Sequence, residues 1–593
     1  MLTPSPDGVF LMTMPGLFGI IASAGQPDKD VFHKLADHIR PEYIEPHISK
    51  HHSAFLGFKS LRVLDPINQP FINSEHDLTL FIWGEIYDYP DKQKSVSENI
   101  FDLYLSDKLD ELIDLNGCYS FSLWDNKRSR LVLASDIYAT RPLFFYHSSD
   151  QFYFSPSVFG LARPLQKMIN RRALNHFMQI GMITAKDTWF KDIYKLTPGS
   201  ILIYEHSKIT IRKYFDPKFV PQDISVFDSA TGIVDHLKTV IGRYKKEKFS
   251  LSLSGGGDSR LIAALCKQQG YEFKSFTFSG EKAGDLDVSR LVSKKLELVH
   301  YPLLISPDYL SEFIRDAVYN TNGYCSAINF HGISTRTEVR KLAGVALSGL
   351  YGNNFLGYMS FAIQKFASVT NKEKFITLLS AWLNSGYSQR ELEDFCTGPD
   401  FEPLEEISSS LFKKYQQESY LDTLLAIDHF EINSQRSLCG FWLENDMVEY
   451  RTPFCDYNLM KYNLTIPGKH KLLMQIGREI WRTHFEELGQ IIYQRTELPI
   501  NAPASMVAIK KMLNKVVGTK PFPGILDYAD IFRNELSGWI NDFLTGRDCL
   551  NIEFLNPETV KEIISDHQNK KADNSNKIGL LLTFEQVLRI LKE

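Results

Sequence analysis

The sequence is poor in the features that would give it an extracellular, membrane or nucleic-acid setting. Only seven cysteines occur in 593 residues, at positions 118, 266, 325, 396, 439, 455 and 549, and no two form a Cys-x-x-Cys pair. An odd, scattered set of this kind is no disulfide framework and fits buried thiols in a reducing compartment, so the chain is expected inside the cell, in the cytoplasm. Positive charge is not in excess: 66 Lys and Arg against 71 Asp and Glu leave a net charge of −5 with no basic face, which excludes a nucleic-acid partner. No segment sustains the roughly 18 apolar residues that a membrane-spanning helix needs. The apolar run in MLTPSPDGVFLMTMPGLFGIIASAG has no Lys or Arg ahead of it and is interrupted by Pro15. It therefore reads as a leader, residues 1–13, followed by a buried strand, with Met12 or Met14 as alternative starts, and not as a signal peptide. A kinase-type phosphate loop is missing too, because neither GxxxxGKS nor GxxxxGKT occurs.

What is present is a long chain of ordinary globular composition, 44% apolar and 23% charged, whose length calls for two domains. The most informative stretch is FSLSLSGGGDSRLIAALC, residues 249–266. Phe249, Leu251 and Leu253 alternate with serines as a strand does, and Leu261, Ile262, Ala264 and Leu265 recur at helical spacing. Gly255, Gly256 and Gly257 thus form a strand-to-helix turn. Bare backbone there lets N–H groups approach a ligand, and the helix N-terminus attracts a phosphate or pyrophosphate. Ser254 and Ser259 add hydroxyls. Asp258 would repel a phosphate unless a divalent cation lay between them, which argues for magnesium bound with the nucleotide. The bland alternative is a tight turn, and the strand before it, the helix after it and the acid within it count against that. FKSFTFS (273–279) and GVALSG (344–349) read as two more short buried strands, implying a parallel sheet with its ligand at the strands' C-terminal ends.

LSGGGDSR resembles the SGGxDS pyrophosphate loop of ATP-pyrophosphatases, and VEYRTPFCDYNLMKY (448–462) resembles the LEVRVPFLDHRLVEY segment of the asparagine synthetase family. RLVSKKLELVHYPL and NKIGLLLTFEQVLRI resemble its later landmarks. GFKSLRVLD, QPF, GEIYDYPD, LNGCYSFSLWD and LTPGSILIYEHSKITIRKYFDP resemble, in order, a class II glutamine amidotransferase domain and its exit strand. The likeness runs from about residue 14 to the end. It implies a two-domain α/β protein: an Ntn-hydrolase-like αββα sandwich over 14–215, then, over 216–593, a parallel-sheet ATP-pyrophosphatase domain of adenine nucleotide alpha hydrolase type with a helical C-terminal part. By the same resemblance Ser254, Gly255, Gly256, Gly257, Asp258 and Ser259, with Ser348 and Gly349 of the second loop, bind ATP, and Asp258 ligates Mg2+. ATP would activate a carboxylate as an acyl-adenylate, and an amine would attack to give an amide. The implied partners are a small-molecule or peptide substrate bearing carboxylate and amine, and a second copy of the chain, since family members are often dimers.

The departures from the family shape the expectation. Its amidotransferases use an N-terminal cysteine, whereas the matching text here is PGLFGII, with Phe18 assigned to the thiol's place. The family's NGEIYNY reads WGEIYDY, putting Trp83 where an Asn holds glutamine, and Lys59 and Ser60 stand near the family's arginines. No ammonia from glutamine is expected, a loss shared with beta-lactam synthetase, carbapenam synthetase and lasso-peptide cyclases. In the second loop, SGLYGNNFLGY (348–358), Asn353 replaces a magnesium-binding acid. A one-residue slip would put Asn354 there and Tyr351 at the place of a catalytic tyrosine. In IYQRTELPINAP (492–503) Glu497 falls on the family's lysine, so Arg495 is the substitute expected to steady the developing charge, with Arg478 and Arg482 next. Glu449, Arg451 and Asp456 read equally as an ion-pair network or as substrate contacts, and QRSLCGFWLEND (435–446) reads as core. The leading expectation is an amide ligase without a glutaminase. The alternatives are a catalytically weakened pseudoenzyme that keeps nucleotide binding, and an ammonia-dependent asparagine synthetase.

Overall fold

The computed structural model describes residues 14–39, 44–184, 186–244, 247–281, 283–358, 360–396, 401–517 and 525–593; the expected leader, 1–13, lies outside them. Alternation of apolar and polar residues builds the N-terminal half. The strand Leu78–Asp88 pairs antiparallel with Asn116–Asp125 from Leu78 opposite Asp125 to Asp88 opposite Asn116. These two belong to a six-stranded sheet, completed by Phe71–Asn73, Arg130–Ser135, Ser200–Glu205 and Lys208–Lys213. A second six-stranded sheet runs in the order Tyr194–Lys195, Phe144–His147, Gln151–Ser155, Gly16–Ala22, Ala54–Lys59, His47–Lys50. Because side chains alternate along a strand, Phe81, Trp83, Leu131 and Leu133 pack toward the second sheet, while Leu80, Ile82, Phe121 and Val132 pack with Ile100 and Leu103 of the helix Val96–Leu105. The helix Lys29–Asp37 covers the opposite face with Phe32 and Leu35. The result is the expected helix–sheet–sheet–helix sandwich. The exit segment is a hairpin, not one strand: Ser200–Glu205 and Lys208–Lys213 turn back at His206 and Ser207, both with positive φ.

The second half is wound on a five-stranded parallel sheet in the order Val299–Leu304, Lys274–Ser279, Phe249–Ser252, Val345–Leu347, Glu449–Arg451. The chain leaves Phe249–Ser252 to one side for Lys274–Ser279 and later returns on the other as Val345–Leu347. The C-terminal end of Phe249–Ser252 is therefore a topological switch point, where open α/β sheets bind ligands. Beyond Gly352 the chain is mainly helical. The last helix, Ser575–Lys592, is buried along most of its length, and Phe584 stacks on Trp189 of the first half at 5.8 Å.

Ion pairs bind the halves. Arg141 meets Glu449 at 2.7 Å with both side chains almost fully buried. Arg451 takes Glu85 of the first half in a two-pronged contact of 2.5 and 2.6 Å and also pairs with Glu247. Asp456 accepts from Asn116 at 2.8 Å and pairs with Arg243. Of the two readings of Glu449, Arg451 and Asp456, the geometry is that of a network between domains.

Candidate active site

The helix Gly257–Gln268 begins at Gly256 with no side-chain cap, which leaves its first N–H groups and its dipole facing outward. The loop ahead of it is fixed from within. Ser254 N–H donates to Ser259 Oγ at 3.0 Å, Gly256 N–H to Ser254 Oγ at 3.2 Å, and Gly255 N–H to Asp285 Oδ1 at 2.8 Å. Ser254, Gly256, Gly257, Asp258 and Ser259 line a cavity of about 750 Å³ at the C-terminal ends of the parallel strands. Gly255 does not line it, its N–H being taken by Asp285, which does. The second loop completes the wall with Ser348, Gly349, Tyr351 and Asn353, and Arg495 enters from the opposite side.

The second loop meets the first through bare glycines. A Cβ on Gly352 would lie 2.4 Å from Cβ and Cγ of Asp258, and one on Gly349 would lie 2.5 Å from the Ser259 nitrogen. Asp258 accepts no hydrogen bond among the described residues, and burial pushes its carboxyl up to about 7, an effect the Arg495 guanidinium opposes. A carboxylate with no donor, set beside an uncapped helix, suits a cation carried in with phosphates. Asn353 is exposed in the same cavity. Among the described residues no group of three or more His, Cys, Asp or Glu forms a metal cage. Magnesium would thus be held by Asp258 and Asn353 together with phosphate oxygens and water, its usual mode with nucleotides.

Tyr351 is buried at the left-handed φ of 71°, packed on Tyr138 at 5.1 Å and His429 at 5.7 Å. Its hydroxyl has no partner among the described residues. Asn354 is not a lining residue: its amide donates to Tyr358 Oη at 2.6 Å and Asp428 Oδ2 at 2.8 Å. Tyr358 Oη in turn donates to Asp428 at 2.6 Å, and both line the cavity. Burial raises the Asp428 carboxyl above its ordinary range, and burial and that carboxylate hold the Tyr358 hydroxyl well above its own. Asp428 opens a wide π-type helix, Asp428–Ser437, in which Leu438 N–H bonds back to Asn433 O, and Asn433 and Arg436 from the same turns also face the cavity. Such widened turns are frequent at functional sites.

Sequence reasoning missed Tyr358, Asp428, Arg436 and Asp285. Tyr358 lay at the end of the quoted second loop and Arg436 in the segment read as core, while Asp428 and Asp285 lay in no quoted motif. The segment 435–446, read as core, buries Cys439, Phe441, Trp442 and Leu443 but exposes Arg436 and Gly440. Arg478 and Arg482 do not line the cavity: Arg482 is exposed and pairs with Glu479 at 2.6 Å. Glu497 is met by Lys510 at 3.2 Å.

In the first half, Trp83 is fully buried, its indole N–H has no partner among the described residues, and the backbone of Gly16 lies against its ring. Phe18 is not at the strand's end but third in Gly16–Ala22, its ring lying over Gly57. Pro15 stands directly ahead of that strand, and its side chain carries no nucleophile. Ser60 hydroxyl donates to Asp65, which also takes Gly84 N–H at 2.5 Å.

A parallel sheet with a glycine-rich cradle at its switch point, joined to a four-layer antiparallel sandwich, defines an ATP-pyrophosphatase-type ligase with an amidotransferase-like domain. The glutamine amidotransferase domain model matches residues 14–215, and the asparagine synthase model matches residues 244–589, more than half of the chain. The chain belongs to the asparagine synthase family and is a carbon–nitrogen ligase of asparagine synthetase type. It is 22% identical over 572 residues to the glutamine-hydrolysing asparagine synthetase 1 of Bacillus subtilis (strain 168), covering 89% of this chain and 88% of that one. It is 28% identical over 545 residues to asparagine synthetase 2 of the same organism, covering 82% and 71%, and 23% identical over 468 residues to the Homo sapiens enzyme, covering 73% and 74%.

Proposed function

We propose that the protein is an AMP- and pyrophosphate-forming amide ligase that works without hydrolysing glutamine. The substrate carboxylate oxygen attacks the α-phosphorus of ATP, the bond to the β-phosphate oxygen breaks, and pyrophosphate leaves. The amine nitrogen then bonds to the acyl carbon, the bond to AMP breaks, and one amine proton passes to the protein. The uncapped N–H groups of Gly257–Gln268 and the Arg495 guanidinium are placed to offset charge on the departing pyrophosphate. Magnesium, held by Asp258 and Asn353, would neutralise phosphate charge. Tyr358 would take the amine proton on its hydroxyl oxygen as its own proton passes along the existing hydrogen bond to Asp428. Residues 14–215 act as a scaffold, since Trp83, Phe18 and Pro15 supply neither a glutamine pocket nor a nucleophile.

The observation that carries this reading is the gathering of Asp258, the uncapped helix and Arg495 around one cavity. The test is pyrophosphate release from ATP and magnesium with pooled carboxylates and amines. Release is expected with the wild type and absent in Asp258→Asn, and glutamine is expected to give no glutamate. Nucleotide binding with no release under any pool would favour the pseudoenzyme, and release with aspartate and ammonia alone would favour an ammonia-dependent asparagine synthetase.

A further inference from the structure

Beside the nucleotide cavity lies a second chamber of about 490 Å³. Ile328, His331, Leu350, Arg436 and Ser437 line both, so the two are neighbours across one shared wall. Each is within the ~300–1,000 Å³ that a drug-sized ligand fills, so the site has room for a second sizeable ligand next to ATP. The second chamber has a distinct chemistry. Among the described residues Arg436 is its one charged lining residue, and no carboxylate lines it. Arg436 is exposed to both spaces, and among the described residues no ion pair holds its guanidinium. The remaining polar groups are neutral: Ser326, Asn329, Ser385, Ser437 and Asn576. His331 belongs with them, since burial drives its imidazole down to about 4, and its Nδ1 has no hydrogen-bond partner among the described residues. The Ser326 hydroxyl likewise lacks a partner.

We infer that this chamber holds the body of the acid substrate, a carboxylate on an uncharged frame rich in hydroxyl or amide groups, with Arg436 gripping the carboxylate where the two spaces meet. The assignment rests on the ligase reading above. An amino acid such as aspartate is a poor occupant, because its ammonium would find no carboxylate there and would be desolvated without return. The first half of the chain supplies part of the chamber: Gly181 caps the helix Arg171–Ile180 and lines the space, and Gln179 O accepts from Ser385 and Gly386 N–H. The sandwich is thereby part of the substrate site, although its own catalytic position holds no nucleophile.

Gly440 lines the chamber, and a Cβ built there would meet nothing within 4 Å, so a large side chain at this position enters open space. The test compares wild type, Gly440→Phe and Gly440→Ser in ATP–pyrophosphate exchange driven by glucuronate, by the dipeptide Ser-Asn or by aspartate. Thermal melting and calorimetric binding of ATP with magnesium serve as controls. Expected are exchange with glucuronate or with Ser-Asn, which tells a sugar acid from a peptide acid, at least tenfold loss in Gly440→Phe, retention in Gly440→Ser, and ATP affinity within twofold throughout. Arg436→Met should lose exchange by a similar factor. Exchange with aspartate alone, silence with both larger acids, or exchange unaffected by Gly440→Phe would overturn the assignment. Failure of the wild type to bind ATP would instead overturn the ligase reading.

Discussion

Between the sheets of the first half, Trp83 is fully buried and the end of the Phe18 ring closes on Gly57. At the ends of the parallel strands a cavity of about 750 Å³ stands open, and among the described residues Asp258 has no donor and the Tyr351 hydroxyl no partner. One region is filled with rings and leaves a single indole N–H unpaired among the described residues, and the other keeps an open space lined by polar groups. Buried polar groups without partners are destabilising, so an open, orphan-lined cavity persists when a ligand completes it, whereas a packed one serves stability.

That contrast breaks most sharply where the regions join. Arg141→Met leaves Glu449 buried without its partner, and the expected loss is about 3–5 kcal/mol of unfolding free energy, measured by urea denaturation. Asp258→Asn should leave melting intact yet lower pyrophosphate release by about 10³-fold, read in steady-state kinetics. Tyr358→Phe separates the two chemical steps: amide formation falls by about 10²-fold while ATP–pyrophosphate exchange stays near wild type. The smallest effect belongs to the packed region. Burial, and next the Glu449 charge, raise Asp65 to about 7. Between about pH 4, its ordinary range, and pH 7 the folded state binds more protons than the unfolded one, so stability present at low pH is lost as pH rises. Asp65→Asn should flatten that slope in melts taken from pH 4 to 8.

The sequence made the cradle legible because three levels agreed on it: alternating strand, bare turn, periodic helix. The parallel sheet followed from the same logic at 274–279 and 345–347. Residue identity alone does not tell where a strand's pairing begins; the structure starts that pairing at Gly16 and puts Phe18 inside it. Arg478 and Arg482 share a helix face, but no sequence pattern reveals that Glu479 takes Arg482 or that the face turns from the cavity. Asp428 and Arg436 were invisible for another reason. They sit on a π-type helix whose five-residue spacing matches neither the 3.6 nor the 2.0 period, and Asn354 and Tyr358, two of the partners of Asp428, come from a segment 70 or more residues away.

Gly349 and Gly352 press on Asp258 and Ser259 with no room for even a methyl group. The bare Gly349 meets the Ser259 backbone and the bare Gly352 meets the short Asp258 side chain, as teeth of two gears do, so a displacement of one loop bears directly on the other. A nucleotide that draws the first loop inward must carry the segment Tyr351–Tyr358 along with it. Arrival of the first substrate would then set the tyrosine for the second, and an order of events is built into two hydrogen atoms.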